Sequence, residues 1–367
     1  MSMTMERRTR KYEGCPVTRR ELLLSLSAIV TASAGVRAQS RKRTIAVRSL
    51  NHMTLTVSDR KRSLEFYQGL FGMPVHHRQG TTVGLLIGSG PQYVSLGGSG
   101  AKPGLNHFCM NVEGFSLDRV IQVLAEHGVT KSDVPGTGWG GPIGNPMKVW
   151  VRTRGEADGG AKEGTPELYV GDPDGIVVQL QDPSYCGGAG VLGNVCRAPL
   201  EPAPRKGLLA VRGLSHFTLS VSSQQRSVAF YQELFGMSIQ AHQGASPMLA
   251  VGSGPQFLAM GGGGGGRGGS NRGPAPTPGI GHACFTMEGF NPDRVLKTLA
   301  DFGVKPRGDA RGPAGPLVSY VTMRMEDRGG AKGGTPELYF TDPDGTLIQL
   351  QDMSYCGGSG YLGNVCS

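Results

Sequence analysis

The chain has 367 residues, of which 38% are hydrophobic, and a formal net charge of +9. That length suggests two or three domains with ordinary cores. No Lys/Arg stripe interleaved with aromatics occurs, which argues against nucleic acid as a partner. Sixty glycines is a high number for this length. Many fall in loops, and the run "GGGGGGRGG" from Gly261 to Gly269 reads as a flexible insertion.

In chain order, the first segment reads as an address. Arg7, Arg8, Arg10 and Lys11 make a basic start, and "TRRELLL" resembles the twin-arginine signature of bacterial export signals, with Arg19 and Arg20 as the pair. An apolar run from Leu22 to Val36 follows, and "VRAQ" fits cleavage after Ala38. The run is short of the roughly 20 apolar residues a spanning helix needs. The expectation is a signal peptide over 1–38, a mature form without a stable membrane span, and a periplasmic or secreted location. An uncleaved anchor is the alternative. Residues 1–38 carry seven Lys/Arg and three Asp/Glu, so the +9 of the chain less +4 leaves a mild +5.

The remainder is one unit written twice. "LNHMTLTVSDRKRSLEFYQGLFGM" (Leu50 to Met73) pairs with "LSHFTLSVSSQQRSVAFYQELFGM" (Leu214 to Met237), and "PELYVGDPDGIVVQLQD" (Pro166 to Asp182) pairs with "PELYFTDPDGTLIQLQD" (Pro336 to Asp352). Within the first copy, "NHMTLTV" alternates in polarity and reads as a strand. "SLEFYQGLFG" has helical spacing and a glycine stop. "TVGLLIG" and "QYVSLGG" read as further strands. "NHFCMNV" opens a second round, "SLDRVIQVLAEHG" is a second helix with Ser116 as its N-cap, and "PMKVWVRTR", "PELYVGD" and "GIVVQLQD" are its strands. Each copy therefore reads strand, helix and three strands, twice. "RAPLEPAPRKG" (Arg197 to Gly207) is Pro-rich and reads as a linker. The expected divisions are 48–186 and 208–356 for the two copies, with 187–207 as tail and linker and 357–367 as a C-terminal tail.

Four of the eight histidines are repeat-matched: His52 with His216, and His107 with His282. Each lies near the start of the first strand of a module. His76, His77, His127 and His242 have no exact counterpart. Taken with the strand and helix order, these residues resemble the vicinal oxygen chelate superfamily of glyoxalase I, bleomycin-resistance proteins and extradiol dioxygenases. The resemblance implies an α+β fold in which tandem βαβββ modules, four in all, form two cups, each around a divalent metal such as Fe(II), Mn(II) or Zn(II). It implies His52, His107 and Gln179 as ligands in the first copy, and His216, His282 and Gln349 in the second. The family carries Glu where Gln179 and Gln349 stand. An amide oxygen fills that vertex without charge, which weakens metal retention, leaves the ion a stronger Lewis acid and suits an anionic ligand with two oxygens. Gln181 and Gln351 share the strand face and are possible substitutes.

Tyr169 and Tyr339 each precede the glutamine by ten residues. The run Y-x-x-D-P-x-G-x-x-x-Q resembles the extradiol signature apart from its last residue. That signature also has a His before the Tyr, where this chain has Lys162 or Lys332. Tyr169 and Tyr339 are candidate catalytic residues that orient substrate by hydrogen bonding, or else strand aromatics in the cup wall. Cys109 and Cys284 share the ligand face. Asp172, Asp174, Asp342 and Asp344 belong to "DPDG" turns and read as structural. Cys186 and Cys196, and Cys356 and Cys366, flank Gly-rich runs, so two local disulfides are expected, with a bond between the tails as the rival. Two functions follow: a metal-dependent dioxygenase-like or glyoxalase/lyase-like enzyme acting on a small oxygen-chelating molecule, or a metal-free protein that sequesters a ligand. A pair of inactive cups retained for stability is a third reading.

Overall fold

The computed structural model describes residues 42–98, 102–132, 144–196, 199–261, 277–308 and 314–366. The expected signal segment, and the glycine-rich run beyond Gly261, lie outside the described residues. Lys42–Ser367 forms one compact unit.

Each repeat folds as two βαβββ modules joined edge to edge. The first contains β1 (Val47–Thr56), α1 (Arg60–Phe71), β2 (Val75–Gln79), β3 (Thr82–Leu86) and β4 (Tyr93–Gly97). It continues with β5 (Gly104–Val112), α2 (Leu117–Glu126), the two-residue β6 (Thr130–Lys131), β7 (Lys148–Arg154), β8 (Thr165–Gly171) and β9 (Val177–Gln181). The second repeat gives β10 (Val211–Ser220), α3 (Gln224–Phe235), β11 (Ile239–Gln243), β12 (Ser246–Ala250), β13 (Phe257–Gly261) and β14 (Gly279–Met287). It ends with α4 (Pro292–Asp301), β15 (Lys305–Pro306), β16 (Val318–Arg324), β17 (Thr335–Thr341) and β18 (Leu347–Asp352). The strands make two nine-stranded sheets, ordered β2-β3-β4-β1-β5-β9-β8-β7-β6 and β11-β12-β13-β10-β14-β18-β17-β16-β15. The fold is thus α+β, with four βαβββ modules in two sheets.

Alternation along the strands sorts two faces. On β1, Met53 and Leu55 enter the hydrophobic core, while His52 and Thr54 take the opposite face. On β5, Phe108 and Met110 face the core and His107 and Cys109 do not. Each first-module helix is pinned at both ends. Asp59 caps α1 by accepting the Arg62 N–H, and Gly72 closes it at φ 67°, a left-handed conformation that costs a glycine little. Ser223 and Gly236 repeat the arrangement on α3.

The core is common to both repeats. Phe108 stacks on Phe217 across the seam, with ring centroids 4.8 Å apart. Phe71 of α1 meets Phe285 and Phe340 of the second sheet, at 5.7 and 6.0 Å. The "DPDG" turns, read as structural from sequence, are structural and also clasp the two repeats. Asp172 accepts the backbone N–H of Asp174 and Ile176 through Oδ1, which shapes its turn, and the Tyr231 hydroxyl through Oδ2 at 3.2 Å. Asp342 does the same with Tyr67, also at 3.2 Å. Asp344 pairs with Ser58 and Arg62, and Asp174 with Ser222 and Arg226. Tyr231→Phe should therefore cost about 1–3 kcal/mol in urea unfolding, because a buried acceptor loses its donor. A change within error would show that the clasp contributes nothing.

The disulfides are local, Cys186–Cys196 and Cys356–Cys366, and the bond between the tails does not form. The segment read as linker is docked: Glu201 bridges Val75 through the backbone, and its carboxylate pairs with Arg78 at 2.8 Å. Among the described residues, no helix is long and apolar enough to cross a membrane.

Candidate metal centre

Strand register lines up one row of side chains across the first sheet. Tyr93 on β4 is opposite His52 on β1, His52 is opposite Cys109 on β5, and Cys109 is opposite Gln179 on β9. Gln179 is opposite Tyr169 on β8, which is opposite Trp150 on β7. The second sheet repeats the row as Phe257, His216, Cys284, Gln349, Tyr339 and Tyr320. His107 and His282 sit one step along, opposite Thr54 and Thr218. The two histidines and the glutamine of each repeat are thus delivered to one spot by three adjacent strands.

In the first repeat, His52 Nε2 and His107 Nε2 each lie 3.1 Å from Gln179 Oε1. As the neighbouring asparagines are oriented, both ring protons fall on Nδ1. Asn51 Nδ2 donates to the Tyr185 carbonyl at 3.0 Å and to Asn111 Oδ1 at 2.9 Å, so Asn51 Oδ1 faces His52 Nδ1, at 2.7 Å. Asn106 Nδ2 donates to Thr56 Oγ1 at 3.3 Å and presents its Oδ1 to His107 Nδ1 at 2.8 Å. An amide oxygen there requires Nδ1–H, which leaves a lone pair on each Nε2. Burial keeps both rings neutral: it pushes His52 well below its ordinary pKa, helped by His107 and His77, and takes His107 down to about 4. Three lone pairs, on two nitrogens and one amide oxygen, therefore converge with no proton among them. Donors sharing a divalent ion at about 2.1 Å stand about 3 Å apart when at right angles. The set fits a divalent cation.

Around it, His52 stacks on Tyr93 at 4.4 Å and the Tyr169 ring meets the edge of His107 at 5.3 Å. The Tyr169 hydroxyl reaches Glu167 Oε2 at 3.2 Å. Tyr169 is therefore wall and hydrogen-bonding group together. Glu167 also accepts from Tyr185 at 2.7 Å and from the fully buried Arg154 at 2.9 Å. Arg152 lies 3.7 Å from the same carboxylate and, with Thr54, Thr56 and Asn106, lines an opening of about 320 Å³. Cys109 is buried on the cup floor, its thiol pushed well up by burial, and its Sγ–H points at the Met110 carbonyl. Gln181 and Gln351 do not substitute for the row glutamines. The histidines' partner is Gln179 or Gln349, while Gln351 Nε2 donates to the Pro336 carbonyl.

The second repeat is looser. His282 Nε2 is 2.9 Å from Gln349 Oε1, 3.3 Å from His216 Nε2 and 3.1 Å from Thr218 Oγ1. Ser215 and Gly281 stand where the first repeat has Asn51 and Asn106. Among the described residues, His216 Nδ1 meets the Ser215 hydroxyl, which is donor or acceptor alike, at 3.1 Å. Tyr339 approaches His282 at 5.4 Å, its hydroxyl 3.4 Å from Glu337. Thr322 replaces Arg152. The orienting asparagines, Arg152, and the Arg154–Glu167–Tyr185 cluster were not singled out from sequence. The signal available was "NH" preceding both first-repeat histidines, and the recurrence of Arg154 and Glu167 as Arg324 and Glu337.

The buried imidazoles make stability depend on pH. His52, His107, His216 and His282 all titrate below the ordinary His value, His282 at about 4, because burial opposes their charged form. Between about pH 6.5 and 4 the unfolded chain binds the extra protons, so stability is full above about 6.5 and is lost as pH falls toward 4. Asp172, lifted by burial to about 6, works in the opposite direction. Metal-free protein should lose on the order of 1 kcal/mol or more per imidazole between pH 7 and 4.5, measured in urea. A flat profile would contradict the burial argument.

Paired βαβββ modules whose first and last strands present two histidines and an oxygen donor define a class of cupped-sheet proteins. The chain belongs to the Glyoxalase/Bleomycin resistance protein/Dioxygenase superfamily, whose family model matches residues 49–180 and again 213–350. Its fold is similar to a catechol 2,3-dioxygenase (16% identity, 86% of this chain and 89% of that one, TM-score 0.52). It is similar also to the Mn(II)-bound glyoxalase from Novosphingobium aromaticivorans (14%, 83% and 82%, TM-score 0.52). A third similar structure is the 2,3-dioxygenase LapB from Pseudomonas sp. KL28 (15%, 84% and 92%, TM-score 0.51).

Proposed function

We propose that this chain is an exported enzyme that depends on a divalent metal and acts on a small anionic molecule through two adjacent oxygens, with its principal centre in the first repeat. The observation that carries the proposal is the convergence of His52 Nε2, His107 Nε2 and Gln179 Oε1 with both histidine tautomers held by asparagines. When bound, the metal supplies Lewis acidity and, if iron or manganese, one-electron chemistry. The catechol dioxygenase and glyoxalase likenesses support those two reaction classes alike. Lys162, standing where the extradiol signature has His, weighs against ring cleavage and toward the glyoxalase/lyase class.

The protein's own groups set the selectivity. Gln179 adds no charge, so an anionic ligand is favoured to balance the ion. Arg152 lines the opening as a guanidinium shared with Asp158 at 3.9 Å and Glu167 at 3.7 Å, from which it can turn to an anionic ligand. Tyr93, Trp150 and Tyr169 are buried aromatics that keep water from the row. Tyr169 donates its hydroxyl proton to Glu167 while its ring stands beside His107. With Ser215, Gly281 and Thr322 in place of Asn51, Asn106 and Arg152, the second repeat has the weaker centre.

The metal-free reading has one observation in its favour. Gln179 Nε2 is buried with no hydrogen-bond partner. Turning the amide over would donate its two N–H groups to the two imidazole lone pairs and satisfy the cup without an ion. Calorimetric titration with a catecholate separates the readings. Binding should appear only after loading with Fe(II), Mn(II) or Zn(II), and Arg152→Thr, which copies the second repeat, should weaken it about tenfold, or about 1.4 kcal/mol. Equal binding by metal-free protein would favour sequestration instead.

A further inference from the structure

The first repeat carries a histidine pair that the second lacks. His76 and His77 on β2 correspond to Gln240 and Ala241 on β11. His77 is 5% exposed, and its ring occupies space left by two glycines: a Cβ on Gly84 or Gly187 would fall 2.1 or 2.5 Å from it. The second repeat fills the matching region with Met248, at the position of Gly84. His77 Nε2 has no hydrogen-bond partner, and His77 Nδ1 is 3.4 Å from His76 Nδ1. Gly187, against which His77 rests, is bonded to Cys186. The ligand atoms of His76, Cys186 and Cys196 all lie within 4.8 Å of one another. A cavity of about 260 Å³, lined by His76, His77, Arg78, Gly188 and Glu201, opens beside them.

In the disulfide form the two sulfurs bind each other and hold no ion. We propose that reduction of Cys186–Cys196 creates a zinc site from Cys186, Cys196 and His76, with solvent or the adjacent His77 completing the coordination. This site is distinct from the cups. The chemistry balances. A dithiol reductant gives two electrons and two protons to the disulfide and closes to its own disulfide. Zn(II) then replaces the two thiol protons, which pass to solvent. Thiolates and imidazole together are a zinc-type ligand set. The Gly-rich loop between the cysteines, containing Gly187, Gly188, Gly190 and Gly193, has the backbone freedom to let the sulfurs separate. The second repeat, with Cys356–Cys366 beside Gln240, is an internal control.

The test uses the full chain, oxidised or reduced with a phosphine, loaded with Zn(II) or Co(II) and desalted anaerobically. The expected result is one additional equivalent of metal on reduction, with a thiolate-to-cobalt charge-transfer band in the near ultraviolet. His76→Gln, which copies the second repeat and should fold, is expected to lose the additional equivalent. Cys356→Ser with Cys366→Ser is expected to keep it, and Gln240→His to add a second. The proposal is overturned if reduction adds no metal to the parent chain. It is overturned equally if the added metal survives in His76→Gln and disappears with the Cys356/Cys366 pair. Since the readout is the increment on reduction, failure here leaves the proposal for the cups unaffected.

Discussion

Phe217→Ala is expected to lower the unfolding free energy by about 3–5 kcal/mol, the range for deleting a fully buried aromatic ring. Phe217 is 0% exposed and stacks on Phe108 of the other repeat. The same core takes in Phe71 of α1 against Phe285 and Phe340 of the second sheet. Loss at the seam should therefore reach both repeats. Urea unfolding followed by near-ultraviolet circular dichroism should show one transition shifted as a whole. Two transitions, of which only the second repeat's moves, would contradict a shared core and restore two independent domains.

Gln179→Glu is expected to tighten Mn(II) or Zn(II) binding by about 100-fold or more. The change places a carboxylate where an amide oxygen faces two imidazole lone pairs, and a full negative charge near a divalent ion gains several kcal/mol even at an effective dielectric constant of about 20. Part of that is offset by desolvating the new carboxylate. Without metal, the same substitution is destabilising, because the carboxylate meets two lone pairs and no donor. The variant should therefore melt lower than the parent in chelator and higher in saturating Mn(II). A variant that melts lower in both would count against a cation at this position. Gln349→Glu should show the same pattern with a smaller effect of metal, because Ser215 and Gly281 hold their histidines less firmly.

The repeat made much of this fold legible in the sequence. Alternation in "NHMTLTV" and "NHFCMNV" reads as strand, and both segments are strands. The grouping of Gln179 and Gln349 with the histidines came from the family resemblance, whose last-strand ligand position falls just after the doubled "DPDG" run. The orienting groups were less visible. Asn51 and Asn106 act only through the tautomer they impose, a property of hydrogen-bond direction that composition does not carry. Their loss in the second repeat reads in sequence as two ordinary polar-to-small changes. Asp174 and Asp344 looked like turn residues and are turn residues. Their contacts with Arg226 and Arg62 depend on how the repeats dock, and no local pattern encodes that. The same holds for Phe108 and Phe217, which alternation marks as core without saying that they share one. His76 and His77 had no partner in the repeat comparison, and that lack of a counterpart was the available sign that the two cups differ.

Metal stoichiometry in the oxidised protein tests the central claim most directly. With both disulfides intact, the parent, His107→Ala, His282→Ala and the double variant are loaded with Mn(II) or Zn(II), desalted and measured by mass spectrometry of the metal. The account predicts two equivalents in the parent on loading, with the first-repeat ion the one that withstands prolonged desalting. His107→Ala should lose that retained ion, and His282→Ala should keep it. A parent chain that never holds more metal than the double variant would contradict the account.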